Sequence, residues 1–339
     1  MIKENRFRNL ISYFRYHFFQ SGKFILFISI VAGIISFITA INGQPVYRYN
    51  EGGKYILEYY DPTLGFSMFV IGFLCFLVPV LQFSFFKKRR NLDYIYSMPI
   101  SRTEVGAVHY AVGLLEVFIP FTVSYLINFL VFASWGFADN KLLPFIPFYF
   151  WCLLFGWIFY SISGFAFNEA NTVTDGCVFM GFWTFIFMLF AGRFDILSQS
   201  GYFSLFFLTE IGSVYTDYAR GKYDGDIWSY INEGKTAGLQ AIIWFFVIVA
   251  VVAVVYLLCS FGKRRTEKAE DISDSPFGYA SMIPLYAFLL AVPEMEFIIS
   301  IIVTIATIVG YTMFRRGIRY KVTDLAVIGA MLLVCIMSI

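Results

Sequence analysis

Charge is scarce in this chain, and so are the residue patterns that usually carry enzyme chemistry. Asp, Glu, Lys and Arg make up 14% of the 339 residues, against 59% hydrophobic and 21% aromatic. With a mean hydropathy of +0.71, a soluble globular domain is excluded. The two histidines, His17 and His109, have no sequence neighbour at a metal-ligand spacing. The five cysteines, Cys75, Cys152, Cys177, Cys259 and Cys335, lie within or at the ends of apolar runs and never at C-x-x-C spacing. Neither a disulfide framework nor a thiolate metal site is indicated, and they read as packing residues. Several Gly-Lys pairs occur, but none combines a glycine five residues before the pair's glycine with a following Ser or Thr, so the chain should not bind ATP through a phosphate loop. H-E-x-x-H and G-x-S-x-G are missing too. No catalytic, cofactor-binding or metal-binding residue is expected on this chain.

What is there is a series of long apolar runs, at 24–41, 64–86, 105–132, 145–167, 176–191 and 237–261. Each can cross a bilayer core of about 30 Å. A further apolar region, 277–314, is broken by Pro293, Glu294 and Glu296, and a last run covers 325–339. Basic clusters lie on both sides of the broken region, at 263–268 and 315–321. The positive-inside rule puts both in the cytoplasm, so the region reads as a hairpin of two short spans turning at Pro293. Nine crossings result, with the N-terminus inside. Of the 25 Lys and Arg residues, 18 then fall inside and 7 outside. The fourth loop, 168–175, has no basic residue and departs from the pattern. The expected fold is an all-α polytopic membrane protein.

The segment 1–23 carries five basic residues but not the uninterrupted apolar core of a cleaved signal peptide. Phe7, Leu10, Ile11, Phe14 and Phe18 recur at helical spacing, as in an amphipathic helix on the inner membrane face or a cytoplasmic helix packed on the bundle. The longest polar segment, 192–236, falls outside. Its apolar patch, 202–208, is too short to cross and reads as an interfacial or re-entrant helix.

Nineteen residues between the second and third runs, FKKRRNLDYIYSMPISRTE, are the most distinctive in the chain. Lys87, Lys88, Arg89 and Arg90 follow the apolar run at once, as at the inner end of a span. Asn91 can cap a short helix over 91–98, with Asp93 in its first turn; Leu92, Ile95 and Met98 line one side while Tyr94 and Ser97 point elsewhere. Pro99 ends it. Ser101 and Glu104 then form the Ser-x-x-Glu capping box of the next helix.

This arrangement resembles the first cytoplasmic loop of type-2 ATP-binding-cassette (ABC) exporter permeases, with the match at Arg90, Asp93, Tyr94, Ser97, Met98, Pro99, Ile100, Ser101 and Arg102. The connector KRRTEKAEDISDSPFG in 262–278 is similar to that of longer Gram-positive relatives, among them peptide-toxin exporter permeases. The resemblance implies a six-helix permease core over 24–261, a cytoplasmic connector at 262–276 and about three further spans over 277–339. It implies docking of a separate ABC ATPase through Arg90, Asn91, Asp93, Tyr94, Ser97, Met98, Pro99, Ser101 and Arg102, with ATP and Mg on that partner. It also implies a second permease copy or related subunit, a bacterial plasma-membrane location and an amphipathic peptide as cargo. No nucleic-acid partner is expected; membrane lipid is.

Glu116 is the one ionisable residue plainly within a run. Counting 12 residues from Glu104 at 1.5 Å each puts it about 18 Å deep, near the midplane. It reads either as a group lining a substrate path or as a carboxyl bonded to a neighbouring helix. An ATP-independent carrier using Glu116, or a membrane sensor, is the rival reading of the whole chain. Such a carrier would be expected to show internal repeats and several central ionisable groups.

Overall fold

The computed structural model describes residues 2–42, 46–49, 55–58, 62–91, 97, 99–134, 145–193, 237–263, 271, 273, 275–291, 297–315, 317–318 and 320–337. Nine long helices occur among them: α1 (Ile2–Asn42), α2 (Pro62–Phe83), α3 (Arg102–Ser134), α4 (Phe145–Glu169), α5 (Val173–Arg193), α6 (Ala237–Lys263), α7 (Tyr279–Ala291), α8 (Phe297–Phe314) and α9 (Val322–Met337). A two-stranded antiparallel hairpin, β1 (Val46–Tyr49) and β2 (Tyr55–Glu58), follows α1 with Val46 opposite Glu58. The hydropathy pattern does not announce it.

Among the described residues, five helices are long and apolar enough to cross a bilayer, over Arg8–Asn42, Phe66–Lys87, Arg102–Val131, Phe145–Glu169 and Ile243–Gly262. The chain is therefore a helical, multi-pass membrane protein. Shorter apolar stretches, Val173–Ile186, Ser300–Phe314 and Val322–Leu333, belong to α5, α8 and α9. At 13 residues, α7 is only about 20 Å long, so its helical part alone is shorter than the core. Of the polar segment 192–236, residues 192 and 193 end α5 and the rest lies outside the described residues, as do Pro293 and the hairpin turn expected there.

Paired contacts fix the helix directions. Tyr13 meets His109 and Ser36 meets Ser124, so α1 and α3 run parallel. Gln82 meets Glu116 while Ser67 meets Asn128, so α2 runs against α3. By the same reasoning α4 follows the direction of α2, with Cys75 on Gly156 and Lys87 on Phe167, and α6 that of α4, with Phe165 on Tyr256 and Asn168 on Ser260. Directions alternate as repeated crossing requires. The main core joins α1, α2, α3, α4 and α6 through side chains such as Ala32, Ile71, Phe121, Phe159 and Phe246, and α7 is fastened to α5 by Phe179 against Tyr279.

Two expectations change here. The segment 1–23 is not a separate element, because α1 runs unbroken for 41 residues, about 62 Å. No glycine or proline interrupts it until Gly22, and even there the helix continues. Its inward side carries Tyr13, His17 and Ser21, not only the apolar residues. Of the cysteines, Cys75 and Cys152 are buried packing residues, whereas Cys177 and Cys259 are exposed; all five are free.

Candidate functional site

One end of the bundle gathers the segments that the basic-residue pattern assigns to a single side. α2 ends in a 3-10 turn, Ser84–Lys87. Lys88, Arg89 and Arg90 are exposed beyond it, but Lys87 is 2% exposed. Its Nζ donates to the carbonyls of Phe167 (2.7 Å), Asn168 (3.1 Å) and Ala170 and lies 4.9 Å from the centre of the Phe167 ring. The last carbonyls of a helix have no partner within it and carry its negative pole. Lys87 thus supplies to the end of α4 the positive charge that the loop 168–175 does not have of its own. Around it, Asn168 donates to Ser260 (2.5 Å), Ser273 to the Glu169 carbonyl (2.6 Å) and Tyr279 to Asp175 (2.7 Å). Arg89 pairs with Asp271 of the connector at 3.6 Å, an exposed contact.

The loop between α2 and α3 emerges from this end. Its short helix begins at residue 89, so Asn91 is inside the first turn and does not cap it; the Asn91 Nδ2 instead donates back to the Phe85 carbonyl at 3.2 Å. Asp93, Tyr94 and Met98 lie outside the described residues, while Ser97 sits in a turn and Pro99 in a bend before α3. The capping box is formed as the spacing predicts: Glu104 accepts from the Ser101 amide (2.9 Å) and hydroxyl (2.7 Å), and the Ser101 Oγ lies 3.4 Å from the Glu104 amide. Arg102 opens α3 and is exposed. Ser101→Ala should lower stability by about 1 kcal/mol, read as a lower unfolding midpoint of the purified protein in mild detergent. An unchanged midpoint would show that packing alone holds the start of α3.

A buried polar network lies between α1, α2 and α3. Gln82 is its hub. Its Nε2 donates to Glu116 Oε1 at 2.7 Å, with Ser21 Oγ at 3.5 Å. With the amide hydrogens turned to the carboxylate, the Gln82 oxygen accepts from His17 Nε2 (2.8 Å) and His109 Nδ1 (3.1 Å). His109 Nε2 then accepts from the Tyr13 hydroxyl at 3.1 Å. The histidine rings stand 4.0 Å apart, although 92 positions separate them in sequence. Among the described residues no group of three His, Cys, Asp or Glu side chains could hold a metal ion.

The depth of Glu116 is corrected by its partner. Gln82 is the last residue but one of α2, a helix whose 22 residues span about 33 Å. Glu116 therefore sits near one end of the apolar core and not at its midplane. The count from Glu104 fails because α3 has 33 residues, about 50 Å, and its first turns extend past the core. The signal that spacing does hold is a polar stripe, Tyr13, His17 and Ser21 at four-residue steps on α1, facing His109 and Glu116 seven apart on α3.

The fold and this end of the bundle define a helical membrane protein with a loop anchored at its two ends and a buried polar network. Comparison with protein-family models, with curated proteins and with solved structures finds no match.

Proposed function

We propose that the chain is the permease subunit of an ATP-driven ABC exporter, which forms the substrate pathway and docks a separate ATPase subunit, the holder of ATP and Mg, on the loop 91–98. A second permease copy or related subunit completes the pathway in the bacterial plasma membrane, and an amphipathic peptide is the first candidate cargo. The observation that carries this reading is the anchoring of the loop on both sides. Lys87 ties its start to the end of α4, and the Ser101–Glu104 box fixes its finish to α3. A push on a loop held this way passes to α2, α3 and α4 together, which suits rigid-body transmission.

Tyr94 and Arg102 are the residues to test. Burying an aromatic anchor in a protein groove is worth roughly 2 kcal/mol or more, so Tyr94→Ala is expected to weaken co-purification with the ATPase or to uncouple ATP hydrolysis from export, with insertion unchanged. Arg102→Ala should act in the same direction and less strongly. Substrate-stimulated ATPase activity of the reconstituted complex is the measurement. Wild-type coupling in both variants would remove the docking role.

The network around Glu116 favours a second reading, a proton-coupled carrier, since His17 and His109 add two titratable groups beside the acid. Transport driven by a pH gradient in vesicles without any ATPase would select it.

A further inference from the structure

Beside the network is a cavity of about 700 Å³, a size typical of small-molecule sites, roughly 300–1,000 Å³. Its polar wall includes Tyr13, His17, Ser21, Gln82, His109 and Glu116, and no lysine or arginine lines it among the described residues. Phe24, Leu81 and Phe85 give it an apolar side. Glu116 is 2% exposed; one oxygen takes the Gln82 amide, and the other, Oε2, meets no hydrogen-bond donor among the described residues. A buried carboxylate without enough donors is costly. His17, donating through Nε2 to Gln82, has Nδ1 left as an acceptor when neutral.

Together these residues present one carboxyl group with an unmet oxygen beside acceptors and hydroxyl and ring donors, and among the described residues that line the cavity the two histidines are the groups able to carry a balancing positive charge. We infer that the cavity binds a primary ammonium group carried on an apolar body, the ammonium donating to Glu116 Oε2 and the body packing against Phe24, Leu81 and Phe85. A neutral alcohol offers one donor and no charge, and a quaternary ammonium offers charge and no donor, so both fit less well. The inference stands apart from the ATPase-docking reading, since no residue of the loop 91–98 takes part.

The test uses the purified full chain in lipid nanodiscs and a photoreactive octylamine bearing an aliphatic diazirine. Cross-linked peptides are located by mass spectrometry, and octylamine, octan-1-ol and octyltrimethylammonium compete at neutral pH. Saturable labelling is expected within 13–24 and 81–85, with octylamine at least tenfold more effective than either competitor. Glu116→Gln should weaken octylamine competition at least tenfold, while Tyr94→Ala labels as wild type. The comparison of competitors in the wild-type protein holds even if Glu116→Gln fails to fold. Equal competition by octan-1-ol, labelling confined to other helices, or a folded Glu116→Gln with wild-type affinity would each overturn the assignment.

Discussion

Lys87→Met is expected to cost on the order of 3 kcal/mol of stability, because hydrogen bonds to a charged group contribute roughly 1.5–3 kcal/mol each and buried acceptors left unmet add to the loss. Methionine keeps most of the length and the contact with Phe167 but cannot donate to the carbonyls of Phe167, Asn168 and Ala170. The adjacent Lys88 is exposed, and Lys88→Met should fall within about 0.5 kcal/mol of wild type. Unfolding midpoints of the two variants in the same detergent give the comparison. If both shift alike, Lys87 contributes only as one more positive charge near the membrane surface.

The second large effect concerns the contact of α3 with α4. Gly113 has no side chain where Tyr160 and Gln82 approach, and a methyl group added there would fall inside the contact radius of the Tyr160 hydroxyl. Tyr160 is fully buried and stacks obliquely on Tyr110 at 5.3 Å, so it has no room to withdraw. Gly113→Ala should therefore destabilise by about 1–3 kcal/mol, the usual cost of overpacking. The Tyr160 hydroxyl has no hydrogen-bond partner among the described residues, so Tyr160→Phe alone should be neutral or stabilising. In Gly113→Ala with Tyr160→Phe, part of the loss should return, with a coupling of about 1 kcal/mol or more in a double-mutant cycle. Strict additivity would show that the helices separate freely at this point.

The apolar runs place the helices well because hydropathy is a local property, and the Ser101–Glu104 box is legible for the same reason: its partners are three residues apart. Lys87 shows where local reading stops. It stands in a row of four basic residues that the sequence does not distinguish, and only the 3-10 turn after α2 directs it inward while Lys88 to Arg90 stay exposed. The pairing of His17 with His109 depends on two parallel helices meeting in one register, which no spacing within either helix encodes. The depth of Glu116 likewise depends on how far α3 projects beyond the apolar core, a tertiary quantity. Residue type alone makes Asn91 a cap, but the helix begins two residues earlier.

The unbroken α1 has a mechanical consequence. It is bonded to α3 through Tyr13 near one end and through Ser36 toward the other, so the two helices are pinned at two levels and turn as one piece. Tilting a rod of about 62 Å by about 5° about one end carries the other by about 5 Å, the rise of one helical turn. A tilt of that size against α3 would break the buried bond between Ser36 and Ser124, so any such displacement has to carry α3 along with α1.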